Sequence, residues 1–158
     1  MVDYYPIAVK LKKKRAVVVG GGNVAERKVL SLLAAGGRVK VVSPELSTRL
    51  AALLRDKKIS WVRNVFRPGD IDRADIIIAA TSSRSVNKKV SARARKSGKL
   101  INVVDDKLLS DFISPAVIKK GRAIVAVYTD GREPELSRDL KNFIKEHWGD
   151  FLSYRNRP

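Results

Sequence analysis

Cysteine is absent from this 158-residue chain, which excludes disulfides, thiolate catalysis and zinc–cysteine sites together. Histidine occurs once, at His147 beside Trp148. No Ser–His–Asp triad or metal-ligand cluster can be assembled around a lone histidine, so His147 reads as a structural residue of a terminal helix and no metal site is expected. Long apolar runs are missing too: none approaches the ~20 residues needed to cross a bilayer, and no membrane partner is expected. The opening stretch MVDYYPIAVKLKKKR lacks a basic start followed by an apolar stretch and a small-residue cleavage site. It does not read as a signal peptide, and a cytoplasmic protein is the expectation. Negative charge is scarce, with 16 acidic residues against 33 basic ones, a formal net charge of +17.

The chain is otherwise ordinary for a globular protein. It is 44% hydrophobic and 31% charged, and long enough to bury a real core. A surface of such positive charge attracts polyanions: nucleic acid, anionic lipid or an acidic small molecule. The excess has no focus, because residues up to Ala79 hold 16 basic and 7 acidic side chains and the remainder hold 17 and 9. With no basic arm, helix-turn-helix, aromatic RNA-binding signature or zinc-finger spacing, nucleic acid is not the expected partner.

Residues 15–45, RAVVVGGGNVAERKVLSLLAAGGRVKVVSPE, form the clearest segment. A short β-branched run fits a strand buried on both faces. Next comes a helical stretch with Val24, Lys28, Leu32 and Ala35 on one stripe, stopped by Gly36 and Gly37, and then a second strand. The alternation continues through LSTRLAALLRDKK (helix), ISWVRN (strand), DIIIAATS (strand), SVNKKVSARARKSG (helix) and KLINVVD (strand). Strands alternating with helices predict an α/β fold with a doubly wound parallel sheet over residues 1–112. Residues 113–158 differ: a hairpin around KKGR, then one amphipathic helix with Pro134 in its first turn. That is too little structure to bury its own apolar surface, so this region is expected to mediate a homodimer.

GGGNVA matches G-x-G-x-x-A with Gly20, Gly22 and Ala25, in a strand–turn–helix setting. Gly20 permits the tight turn, Gly22 allows backbone to approach a pyrophosphate, and Ala25 lets the helix pack close to the strand. Asn23 and Val24 open the helix and join the expected cofactor contacts. The acidic residue that normally ends the second strand is replaced by Ser43, followed by Pro44 and Glu45. Ser43 or Glu45 could meet a ribose hydroxyl; NAD is the expected cofactor, with NADP left open. Ala80 and Thr81 end the fourth strand, where small residues let a cofactor lie across the sheet edge. Asp105 and Asp106 follow the fifth strand at its carboxyl end, where doubly wound folds place ligands; a polar turn is the alternative.

Taken in order, YYPIAVKLKKKRAVVVGGGNVAERK, VVSPE, IIAATSS, NVVDD, DFISPAVI and DGREPELSRDLK resemble one family, from about Tyr5 to about Lys145. It is the precorrin-2 dehydrogenase/sirohydrochlorin ferrochelatase family, also found as the N-terminal module of siroheme synthase. The resemblance implies a Rossmann domain, a dimerisation region, and NAD-dependent dehydrogenation of precorrin-2 to sirohydrochlorin. In bifunctional members, ferrous iron is then inserted. It makes Asp105, the last residue of NVVD, the acid–base residue, adds Asn102 to the cofactor contacts, and leaves Asp106 to the turn. The implied substrate, a tetrapyrrole rich in carboxylates, accords with the basic surface. Lys119, Lys120, Thr129, Gly131, Arg132 and Arg138 are the candidate substrate contacts. Asp130 stands where the family usually has a small residue. Two other classes fit parts of the chain: an NAD(H)-sensing regulatory module, which would not need Asp105, and a charge-driven nucleic-acid binder.

Overall fold

Five short runs rich in β-branched residues pair in parallel as β1 (Arg15–Val19), β2 (Arg38–Ser43), β3 (Ile59–Arg63), β4 (Ile76–Ala79) and β5 (Leu100–Val103). Their order in the computed structural model, which describes residues 4–156, is β3-β2-β1-β4-β5. The order reverses between β1 and β4, which creates the crevice where such sheets hold ligands. Successive side chains alternate between faces. Ala16, Val18, Val39 and Val41 meet helices α1 (Asn23–Ala34) and α2 (Thr48–Arg55) on one face. Val17, Val19, Ile77 and Val103 meet α3 (Arg84–Lys96) on the other. Both faces are covered, so the strands read as continuous apolar runs. Each fully buried Val or Ile contributes about 1.5–3 kcal/mol by leaving water.

The stripe on α1 differs from the expected one. Ala25, Val29 and Leu32 are buried, and Ala35 lies exposed beyond the helix end. Ala25, fully buried, is small enough to bring the helix against the sheet, and that contact sets the rotation. Lys28 is therefore only half-buried; burial, and then the neighbouring Arg27 charge, holds its ammonium below the usual lysine range.

Pro6–Phe112 form one compact unit; Ile113 onward, with Tyr4 and Tyr5, form another. In the second unit β6 (Ala116–Lys120) and β7 (Ala123–Val127) make an antiparallel hairpin, followed by α4 (Pro134–Glu146) and α5 (Trp148–Arg155). The single terminal helix expected from sequence is thus two. His147 sits at the junction with φ −89° and ψ 15°, and its ring stacks on Phe143 with centroids 4.1 Å apart. Residues 1–3 and 157–158, placed at the outer ends of the two domains by the sequence reading, lie outside the described residues.

Candidate functional site

The β1–α1 turn is squeezed between the ends of β2 and β4. Gly20 has φ 124°, and a Cβ there would overlap the Ala80 carbonyl. A Cβ on Gly21 would overlap the Glu45 carbonyl and the Ser43 hydroxyl. Gly22 is different, with no atom within 4 Å of the position its Cβ would take. It is also the N-cap of α1, and it offers no side-chain cap, whereas Ser47 caps α2 and Ser83 caps α3. The first N–H groups of α1, from Asn23 onward, therefore lack a side-chain acceptor beside an open glycine. Uncapped donors at the positive end of a helix dipole form a cradle for phosphate. The chain's own residues fit a dinucleotide there.

The rim of the crevice holds Ser43, Pro44 and Glu45. Ser43 is buried, its hydroxyl donates to the Glu45 carbonyl at 2.6 Å, and the Trp61 indole N–H donates to the Ser43 carbonyl at 3.0 Å. Pro44 and Glu45 beside it are exposed, with Glu45 the carboxylate at that rim. At the end of β4, Ala80 and Thr81 are half-buried.

Asn87, on α3, is a residue that the sequence reading missed. It is 1% exposed and clamps Thr81: its Oδ1 accepts from the Thr81 hydroxyl at 2.7 Å and from the Thr81 N–H at 3.3 Å, while its Nδ2 donates to the Thr81 carbonyl at 3.1 Å. The signal was there, since Asn87 lies on the inward stripe with Val90, Ser91 and Ala94. Asn87→Ala should leave the Thr81 N–H and carbonyl without their partner, while the hydroxyl keeps its bonds to Ser83, and cost about 1–3 kcal/mol, the scale for an unsatisfied buried polar group. Urea denaturation measures this, and an unchanged midpoint would refute the clamp.

Beyond β5 lies a cavity of about 260 Å³ lined by Arg84, Asn87, Val103, Asp105, Asp106 and Leu109. The two acids behave differently. Asp106 caps a 3₁₀ turn, its Oδ1 accepting from the N–H groups of Leu108 at 3.1 Å and Leu109 at 3.2 Å, and Arg84 lies 3.5 Å from its Oδ2. Asp105 is exposed, and its carboxylate takes no hydrogen bond or ion pair among the described residues. One carboxylate builds the turn and the other stands free beside the cavity. Asn102, next to last in β5, is buried; its Nδ2 donates to the Phe112 carbonyl at 3.0 Å and its Oδ1 has no partner among the described residues. Arg84, which lines this cavity, was also absent from the sequence expectations.

The expected substrate contacts all belong to the second unit. Lys119 and Lys120 end β6. Thr129 donates to the Glu133 carbonyl at 2.7 Å, Gly131 adopts φ 67°, and Arg138 pairs with Asp139 at 3.3 Å. Asp130 adopts φ 55°, a left-handed conformation that aspartate tolerates better than most residues, and Arg132 pairs with it at 3.1 Å. Among the described residues no group of three or more His, Asp or Glu side chains is placed to hold a metal ion, and no helix is long and apolar enough to cross a membrane.

An uncapped glycine turn at the switch point of a parallel sheet defines a dinucleotide-binding domain. The chain belongs to the NAD_binding_7 family, described as "Putative NAD(P)-binding", which matches residues 7–116. It is 42% identical to "Siroheme synthase 1" of Aeromonas salmonicida over 97% of its own length, and 41% identical to the siroheme synthase of Nitrosomonas europaea over 99%. The chain spans 34% of the length of each of these relatives. The solved structure "SirC, precorrin-2 dehydrogenase" superposes with a TM-score of 0.82 at 27% identity, covering 91% of this chain and 71% of that one. Escherichia coli D-lactate dehydrogenase, at 20% identity and a TM-score of 0.50, shares the fold alone.

Proposed function

We propose that the protein is a precorrin-2 dehydrogenase of siroheme biosynthesis, a cytoplasmic enzyme that oxidises precorrin-2 to sirohydrochlorin with NAD. The observation that carries this reading is the unpaired Asp105 carboxylate, placed at the carboxyl end of the sheet that presents the uncapped α1 turn. Bound NAD would accept the hydride. The residues do the rest: the α1 N–H groups hold the pyrophosphate, Glu45 meets the ribose, and the orphaned Asn102 Oδ1 accepts an N–H from the cofactor. Asp105 takes the proton that leaves the substrate as the hydride departs. The likeness to SirC and to the siroheme synthases supports the substrate assignment. So does the charge of +17, since a macrocycle edged with carboxylates is drawn to cationic surface. The cations of the second unit, Lys119, Lys120, Arg132 and Arg138, are proposed to hold those carboxylates. Anaerobic incubation with precorrin-2 should give the sirohydrochlorin chromophore when NAD is present and not when it is omitted; no product with NAD would overturn the reading. Ferrous iron insertion is the second reaction that the family carries, and a rate above the spontaneous one with sirohydrochlorin and ferrous iron decides whether this chain performs it.

The proposed assembly is a homodimer. Leu136, Leu140 and Phe143 recur at helical spacing on α4, and all three are exposed, with Phe143 at 58%. Val117 and Ile124 of the hairpin and Phe151 and Leu152 of α5 are exposed as well. A small unit carrying this much open apolar side chain is a docking surface, and a second copy of the same unit would cover it. Light scattering at micromolar concentration should give the mass of two chains; the mass of one would refute the dimer.

A further inference from the structure

The amino ends of the strands, opposite the glycine turn, carry a cluster of cations that the proposed reaction does not use. The chain crosses from β3 to β4 through a 3₁₀ turn, Pro68–Ile71, in place of an α-helix. The sheet face beneath it is thinly covered there: Ser60 is exposed and Lys40, mid-strand, is half-buried. Register sets Arg15 beside Arg38, Val17 beside Lys40, and Lys40 beside Ser60. Val17 belongs to the core on the α3 side, so the two-residue alternation puts Arg15, Arg38, Lys40 and Ser60 on that same side. With Arg73, from the segment leading into β4, they line a cavity of about 250 Å³. Like charges directly opposite on neighbouring strands repel, and here two arginines are so placed.

The nearby acids are engaged elsewhere. The Asp70 carboxylate accepts the Arg67 backbone N–H, and it is the Asp70 carbonyl that takes the Lys40 ammonium. Asp72 pairs with Arg93. Asp75 accepts the Arg15 backbone N–H at 2.7 Å and lies 3.6 Å from Lys14. That N–H first, and the Lys14 and Arg15 charges after it, hold its carboxyl below the usual range. Among the described residues no carboxylate pairs with Arg38 or Arg73.

We propose that this cavity is a second ligand site, for a small phosphoryl anion carrying two or more negative charges. Arginine forks suit phosphate oxygens, and the Lys40 ammonium and Ser60 hydroxyl supply further donors. A cavity of this size, with its cations at one end of the sheet, suits an ion the size of pyrophosphate. At about 3.3 Å per residue, the strands hold this site about 15 Å from the glycine turn, so both can be filled together.

The test follows amide chemical shifts of the full chain, with NAD saturating, as inorganic pyrophosphate or ADP is added. Saturable shifts are expected at Arg38, Lys40, Ser60 and Arg73, and the tighter of the two probes identifies the source of the phosphoryl group as a free anion or a nucleotide. Arg38→Gln with Arg73→Gln should weaken binding about tenfold or more. Lys88→Gln with Lys89→Gln, an equal charge loss at exposed positions of α3, should change it by less than about twofold. Arg73→Gln alone, outside any strand, repeats the test without touching the sheet. Shifts that never saturate, shifts confined to Gly22 and Asn23, or equal weakening by both pairs would overturn the site.

Discussion

Asp105→Asn is expected to fold, to bind NAD, and to lose on the order of 10²-fold or more in precorrin-2 turnover, the usual scale for removing a general base. Asparagine keeps the size and most of the hydrogen bonding of the side chain but cannot accept the proton. Nothing in the fold depends on this carboxylate, which takes no hydrogen bond or ion pair among the described residues. Asp106→Asn is the matched control, because its Oδ1 accepts two N–H groups of the following turn and an amide oxygen can still do so. It should keep most of the turnover and lose some stability with the Arg84 pair. The two variants separate chemistry from architecture at adjacent positions. Steady-state rates with precorrin-2 decide it; near-normal turnover by Asp105→Asn would make both acids structural.

Gly22→Asp is expected to weaken NAD binding on the order of 10²-fold while leaving the folded chain as stable as before, or more stable by a few tenths of a kcal/mol. The opposite signs follow from one position. Gly22 has φ −86°, which any residue adopts, and its Cβ would meet no atom within 4 Å. Aspartate is a favoured N-cap, so its carboxylate would bond the free N–H groups of α1 and complement the helix dipole. Those donors would then be occupied, and a negative charge would face the pyrophosphate. Losing one or two charge-assisted hydrogen bonds of about 1.5–3 kcal/mol each accounts for the expected loss of affinity. Calorimetric titration with NAD and urea denaturation of the same preparation measure the two effects. Unchanged affinity in a folded variant would place the cofactor elsewhere.

The parts of this architecture that were legible in the sequence are those set by local pattern. Five β-branched runs, the glycine turn and the alternation with helices specify a parallel doubly wound sheet, and the structure has it. KKGR marks the hairpin. What was hidden depends on register and on contacts distant in sequence. The bond from the Trp61 indole to the Ser43 carbonyl was hidden because Trp61 lies on β3, a strand whose alignment with β2 cannot be read from either strand alone. Asn87 looked like one more polar residue on a cationic helix until the end of β4 came to rest against it. The rotation of α1 followed Ala25, the smallest side chain on its inner face, in preference to the larger Val24. The last helix divides at His147, whose ring stacks on Phe143, a break that the apolar stripe alone did not reveal.

The Pro6–Phe112 unit brings a dinucleotide turn and a free carboxylate to one sheet, and we propose that together they serve a hydride transfer coupled to proton removal. A single-turnover reaction under anaerobic conditions tests it most directly, with NADH and sirohydrochlorin followed together from a known amount of precorrin-2. The two are expected to appear at the same rate, one NADH for each sirohydrochlorin, with both slowed alike by Asp105→Asn. Sirohydrochlorin formed without NADH, or NAD bound with neither product formed, would contradict it.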